Sequence, residues 1–242
     1  MLSRIYSLFG AAAAVALLLL HSPEAAAQFS IYSGGDIVYH QAVGTPDSVV
    51  FSNAVDLGLS VKWAHCNVGA NTPGESGDYF AWGETTAKSE YSWDTYKWTE
   101  DGGNTFTKYT ISGKATLDPE DDAATVNWGG KWRMPTQAEL QELTDKCTWT
   151  WKSEGEYADG SLAGYLVTGP NGNSIFLPAA GSRWISDLFD LGSYGYYWSS
   201  GLDSGYSGLA RYLSFSSDSR LADDLNRRYY GMSVRAVLSA AE

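Results

Sequence analysis

Apolar and small or polar residues alternate along Leu57-Gly58-Leu59-Ser60-Val61-Lys62-Trp63, the period of a half-buried strand. After Pro135 the period changes. Leu140 and Leu143, with Ala138 or Cys147, recur three or four residues apart and predict a helix with one apolar face. Thr136 and Glu139 have the spacing of a capping box: the hydroxyl takes a free amide of the first turn and the carboxylate reaches back. A turn at Gly129-Gly130 and a short strand over residues 131–134 lead into this helix, with Trp128 and Trp132 beside it. A second, shorter helix is predicted after Leu117. Asp118 suits its N-cap, Pro119 its first position, and the acids that follow favour the positive end of its dipole.

Most remaining periodic segments are extended. Residues 164–168 and 174–177 flank Pro170-Asn171-Gly172, a hairpin signal. Strands are expected over residues 196–199, 210–215 and 232–237, while residues 67–78 and 84–110 read as loops around a buried Tyr79-Phe80-Ala81-Trp82. Alternation in residues 210–215 opposes Ala210, Tyr212 and Ser214 to Arg211, Leu213 and Phe215. With Leu213 and Phe215 in the core, Tyr212 and Ser214 are expected to point outward, and Arg211 is ambiguous. Near the N-terminus, residues 29–32 and 37–40 around Ser33-Gly34-Gly35-Asp36 predict another hairpin, followed by an extended run over residues 48–51.

The first residues change the picture of where the chain works. Arg4, an apolar run over residues 11–20 and Ala25-Ala26-Ala27 have the order of a secretory leader, so residues 1–27 are expected to be removed. The apolar run is too short for a comfortable bilayer span, no second one follows, and no membrane span is expected. No cysteine stands directly after the cleavage site, so a lipid anchor there is not expected. The product is expected to be secreted, or held at the cell surface or in the periplasm by a partner. Residues 28–52 form the hairpin extension and residues 53–242 one further domain. The net charge of −12 disfavours nucleic acid, which wants a basic stripe. Aromatics reach 14%, with 10 Trp and 16 Tyr beside 26 Gly, which suggests short strands and long surface loops. Cys66 and Cys147 either form one disulfide or stand as two separate thiols.

Several segments together resemble one family. They are Val55-Asp-Leu-Gly-Leu-Ser-Val-Lys-Trp-Ala64, Asn67-Val-Gly-Ala70, Gly77-Asp-Tyr-Phe-Ala-Trp-Gly-Glu84 and Asp118-Pro-Glu-Asp-Asp-Ala-Ala124. Trp128-Gly-Gly-Lys-Trp-Arg-Met-Pro-Thr136, Leu177-Pro-Ala-Ala-Gly181, Gly195-Tyr-Tyr-Trp-Ser-Ser200 and Ser233-Val-Arg235 complete the set, in order, over about residues 55–237. The chain resembles the Fibrobacter succinogenes major paralogous domain family. That resemblance implies an α+β, C-type-lectin-like domain of the formylglycine-generating-enzyme subtype, with two helices and short antiparallel strands. It also implies export from gut bacteria and similarity to variable proteins of diversity-generating retroelements, in which a displayed C-terminal patch is diversified. The last motif departs from the family: Met232-Ser-Val-Arg-Ala-Val237 stands where Gly-Arg-Ser-Val-Arg-Pro-Val is expected.

Candidate chemistry is sparse. Formylglycine-generating enzymes use a cysteine pair near the C-terminus, and nothing after Cys147 fills that role. His40 and His65, the histidines outside the leader, sit in no nucleophile–base motif, so no enzyme activity and no catalytic residue are expected. Asp118, Glu120, Asp121 and Asp122 offer oxygen ligands of the kind calcium takes, but acids at a helix start more commonly complement its dipole. No cofactor or metal is expected. Arg133 and Arg235 read as structural braces for which Asp78 or Glu84 supply partners, and Trp63, Trp82, Trp132 and Trp198 read as core. The dense aromatic, Arg and Asp content of residues 183–230 has the composition of a paratope. The expected ligand-binding residues there are Trp184, Asp187, Phe189, Tyr194, Asp203, Tyr206, Arg211, Tyr212, Arg220, Asp223, Asp224, Tyr229 and Tyr230. The expected partner is a protein or glycan at a cell surface. The alternative is a structural or adhesin subunit whose N-terminal hairpin pairs with a neighbour's sheet edge.

Overall fold

A computed structural model describes residues 27–33, 36–43, 54–129 and 131–239. The chain divides between Phe51 and Ser52 into two units. In the first, strands β1 (Ala27–Ser33) and β2 (Asp36–Val43) pair antiparallel, with an irregularity between Ile31 and Tyr32. Residues 1–26 of the expected leader and the run over residues 48–51 lie outside the described residues.

The second unit is mostly antiparallel sheet with two α-helices, an α+β arrangement. Strands β3 (Ala54–Asp56) and β4 (Val61–Ala64) open it. A 3-10 turn over Pro119–Asp121 precedes helix α1 (Ala123–Trp128), so the Asp118–Pro119 start belongs to the turn. The α-helix is capped instead by Asp122, whose carboxylate accepts from Thr125 N at 2.9 Å and from Met134 N at 2.8 Å. Strand β5 (Trp132–Arg133) and helix α2 (Gln137–Lys146) follow. Next come β6 (Thr148–Lys152), β7 (Gly164–Thr168), β8 (Ser174–Pro178), β9 (Ser182–Trp184) and β10 (Asp187–Phe189). Strands β11 (Gly195–Leu202), β12 (Leu209–Phe215), β13 (Arg220–Arg227) and β14 (Val237–Ser239) complete the order.

The sheets run β3-β4-β14-β5, β6-β7-β8, β9-β10 and β11-β12-β13, antiparallel throughout. The predicted strand over residues 232–237 is broken: Met232 and Ser233 bridge to Phe80 and Tyr197, and regular pairing begins only at Val237.

The capping box at α2 forms in both directions, with Glu139 N donating to Thr136 Oγ1 at 3.2 Å and Thr136 N to Glu139 Oε2 at 2.8 Å. The same carboxylate receives Arg133 through both guanidinium nitrogens, at 2.8 and 2.5 Å, and so ties β5 to the helix start. Burial alone would raise the Glu139 pKa, but Arg133 and the Thr136 amide outweigh it and hold the carboxyl below its ordinary value. A depressed carboxyl contributes stability that is complete above its unfolded pKa and is lost as pH falls through the folded one. Glu139→Gln is therefore expected to cost about 2 kcal/mol at neutral pH and to flatten the acid limb of the stability curve. Urea midpoints measured from pH 7 to pH 3 check both effects, and parallel curves for the two proteins would refute the assignment.

Two apolar clusters sandwich the β11–β12 strands. Trp198 and Tyr212 pack with Trp82, Phe80 and Trp132 on one side. Tyr197, Leu213 and Phe215 pack with Trp63, Leu140, Leu143 and Tyr165 on the other. Burial on both faces explains why Tyr212 is only 6% exposed, against the outward position that alternation predicts.

Arg235 is fully buried and donates to Asn67 Oδ1 at 2.8 Å and to the carbonyls of Ala64, His65 and Phe176 at 2.9–3.0 Å. Both arginines are braces, but Asp78 and Glu84 are not the partners: Glu139 serves Arg133, and an amide with three carbonyls serves Arg235. Cys66 and Cys147 are free thiols.

Candidate functional site

The hairpin β9–β10 pairs Trp184 with Asp187 and leaves Ile185 and Ser186 at its tip. Ile185 has φ 53°, a left-handed conformation that a β-branched side chain resists. Two reciprocal backbone bonds to Tyr91, both 2.9 Å, hold it there. Tyr91 is itself buried, its hydroxyl donating to Tyr79 O at 2.6 Å. On the other side Arg183 and Gly231 exchange backbone bonds of 2.7 and 3.0 Å. At the base Gly181, φ 65°, lets the Phe189 carbonyl come where a Cβ would stand, only 2.1 Å from it. The hairpin is thus clamped on both edges and at its base, although its tip is solvent-facing.

Trp184, Ile185 and Phe189 are 43%, 47% and 41% exposed, and Leu191 and Tyr194 are exposed close by. From this cluster a chain of aromatic contacts crosses several loops. Trp184 meets Phe189 at 6.1 Å and Tyr230 at 6.4 Å between ring centroids. Tyr230 stacks on Tyr229 at 4.9 Å, and Tyr229 meets Trp93 edge-on at 4.7 Å. Trp93 continues to Phe106 at 5.5 Å, which reaches the exposed Tyr206 at 6.4 Å. Such pairs prefer offset or edge-to-face geometry and stiffen one another.

Arg228 lies under this chain, fully buried. Its Nε donates to Tyr96 Oη at 2.7 Å, and its two terminal nitrogens donate to the carbonyls of Tyr109, Ser207 and Lys108 at 3.0, 2.9 and 3.1 Å. Trp82, Phe106 and Tyr96 present ring faces to the guanidinium at 4.8, 5.0 and 5.2 Å. No carboxylate pairs with it among the ion pairs of the described residues. Burial lowers its pKa, while the Tyr96 oxygen works the other way. One side chain therefore fastens the 96–109 loop and the 203–208 loop to the end of β13.

The thirteen residues expected from sequence separate into distinct places. Trp184, Phe189 and Tyr230 come together, with Asp187 on the same hairpin, and Tyr206 joins them through Trp93 and Phe106. Tyr194 stacks at 5.9 Å on Tyr196, whose hydroxyl donates to Asp190 at 2.9 Å. Tyr229 belongs to the interior, at 4% exposure, and fills the gap between Tyr230 and Trp93. Tyr212 is also interior, its hydroxyl donating to Asp224 at 2.7 Å, and Ser214 occupies the same carboxylate at 3.0 Å.

Asp203 is buried and accepts from Gly205 N and Tyr206 N at 3.1 and 3.0 Å, which shapes a turn. Arg211 is spent on Asp203 at 3.3 Å and on Asp223. Arg220 lies over Trp149 and Tyr165, both at 5.5 Å, beside the second apolar cluster and away from the ladder. The sequence pattern does not single out Trp93 and Phe106, because residues 84–110 show no period. Their signal was the aromatic density of that loop, which holds Tyr91, Trp93, Tyr96, Trp98 and Phe106.

The acidic cluster carries its own cation. Asp118, Glu120 and Asp121 each offer an oxygen within 4.8 Å of the others. Lys108 Nζ reaches all three, at 2.9, 3.4 and 2.5 Å. Lys114 also pairs with Asp118, and bonds from these two lysines bring its carboxyl down to about 2. Asp122 is committed to α1. An ammonium holds the position a metal would need, and the cluster pins the 97–114 segment to the 3-10 turn.

Burial raises the pKa of the Cys66 thiol, which donates to Ala70 O at 3.3 Å. Burial pushes Cys147 up to about 11. Neither thiol has the depressed pKa of a nucleophile. No helix among the described residues is long and apolar enough to cross a membrane. No family model, curated protein or solved structure matches the chain.

Proposed function

We propose that this is an exported, non-enzymatic recognition protein. In this reading a C-type-lectin-like α+β framework, of the kind the sequence motifs resemble, presents a C-terminal aromatic face to a protein or glycan at a cell surface. The observation that carries it is the ring chain from Phe189 through Trp184, Tyr230, Tyr229, Trp93 and Phe106 to Tyr206, exposed at both ends and braced from below by Arg228. Rigid aromatic anchors lose little side-chain entropy on binding and are enriched among residues that dominate interface energies. Strain at Ile185 agrees with a tip whose shape is fixed before any partner arrives. The raised thiol pKa values support the absence of cysteine chemistry.

The test uses glycan and extracellular-protein arrays probed with the labelled protein and with a Trp184→Ser, Phe189→Ser, Tyr206→Ser variant. Wild-type signals are expected to fall at least about tenfold in the variant. Its Tm should fall by no more than about 10 °C with cooperative unfolding retained, because each half-buried ring contributes on the order of 1 kcal/mol to folding. Array signals that survive the triple change would refute the site, and loss of the folded state would make these rings structural.

A further inference from the structure

We infer that the occupant of this face is a protein surface with an apolar hollow rimmed by Lys and Arg side chains, seated on the β9–β10 tip. The inference rests on the recognition reading and narrows it to one class of partner. Its first ground is charge. The tip carries Asp187, and Asp190 follows β10. Glu90 precedes Tyr91, the backbone partner of Ile185, and Asp94 follows Trp93 of the ring chain. None of the ion pairs among the described residues involves these four carboxylates.

Four cations lie in the same region: Arg228 is fully buried beneath the rings, Lys88 is paired with Glu84 at 2.8 Å, and two arginines nearer the surface are partly engaged. Arg183 sits over the Tyr79 ring at 5.2 Å and donates to Ser186 O at 3.4 Å, and Arg227 donates to Tyr229 Oη at 3.4 Å. On a chain of net charge −12, this face repels an acidic partner and draws a basic one. Ring faces beside carboxylates suit guanidinium and ammonium groups in particular, through cation–π attraction together with ion pairing.

The second ground is the chemistry of the hairpin's two ends. Ile185 at the tip and Leu191 beside the base are 47% and 46% exposed, and their side chains offer no hydrogen-bonding group. An exposed branched aliphatic at each end of a hairpin that carries Trp184 and Phe189 matches the apolar hollow of a protein better than a polyhydroxylated chain. Ile185 is held at φ 53° with its side chain about half exposed.

The experiment titrates the full exported chain with three labelled probes: a Lys/Leu amphipathic helical peptide, its Glu/Leu counterpart of equal length, and cellohexaose. The basic peptide is expected to bind, weakening about tenfold between 50 and 500 mM NaCl. Trp184→Ser should weaken it about tenfold at low salt. Asp187→Asn with Asp190→Asn should weaken it about fivefold, and Asn tolerates the left-handed φ of Asp190. The charge-matched control Asp145→Asn with Glu154→Gln, on α2 and beyond β6, should stay within about twofold. A control effect equal to that of the tip variant overturns the inference, since attraction would then be spread over the whole surface. Failure of the basic peptide to bind also overturns it. Binding of cellohexaose or the acidic peptide, lost in Trp184→Ser, overturns the basic partner while leaving the recognition face intact.

Discussion

Arg228→Met is expected to cost at least about 3 kcal/mol and to release the loops that carry Phe106 and Tyr206. Methionine fills much of the same volume but offers no donor. The carbonyls of Lys108, Tyr109 and Ser207 would each lose a buried partner, at roughly 1–3 kcal/mol apiece where water cannot replace it. Arg228→Lys should restore little, because one ammonium cannot reach acceptors spread around a planar fork. Urea denaturation gives the stability change, and amide exchange reports the loops. Faster exchange over residues 96–110 with strands β7 and β8 unaffected is the expected pattern. An unchanged midpoint would show that the loops are held by something else, with the ring contacts the first candidate.

Gly181→Ala is the second large effect, and it acts on the hairpin itself. An alanine at φ 65° costs about 1–2 kcal/mol in conformation alone. Its Cβ would stand 2.1 Å from Phe189 O and 2.9 Å from Leu191 N, both backbone atoms fixed by the hairpin. Relieving that overlap adds about 1–3 kcal/mol. At roughly 2–4 °C per kcal/mol for a domain of this size, the Tm should fall by about 10 °C. Binding through Trp184 should weaken as well, since β10 must shift. A variant with wild-type Tm would mean that the base of the hairpin yields easily and is not clamped.

Local signals made much of the framework legible. The capping box at Thr136 and Glu139, the Pro170-Asn171-Gly172 hairpin and the apolar spacing of α2 depend on contacts within a few residues, so adjacent letters carry them. The second helix was legible in place but not in its cap. Asp118 and Asp122 are both acids before an Ala-rich run, and Asp122 is selected by the Thr125 amide together with the Met134 amide twelve residues away. Strand β13 was not legible, because Arg220-Leu-Ala-Asp-Asp-Leu-Asn-Arg227 lacks alternation and its pairing with β12 supplies the order. The candidate face was half legible. Residue type picked out Trp184, Phe189 and Tyr206, but it also picked out Tyr212 and Tyr229, whose rings face inward.

The sequence by itself determined the helix starts, the tight turns, the acidic character and the supply of aromatic side chains, because each depends on neighbouring residues or on composition. Only the tertiary structure decided which rings meet solvent and which fill the interior. A strand's period distinguishes two faces but cannot say that both are covered, and that is the situation of β12. It also decided that Trp93 and Phe106 join residues about a hundred positions away through Tyr229, and that a buried Arg228 holds them with backbone carbonyls instead of an acid. Such long-range partners leave no mark in local pattern, because their geometry exists only once the loops have closed.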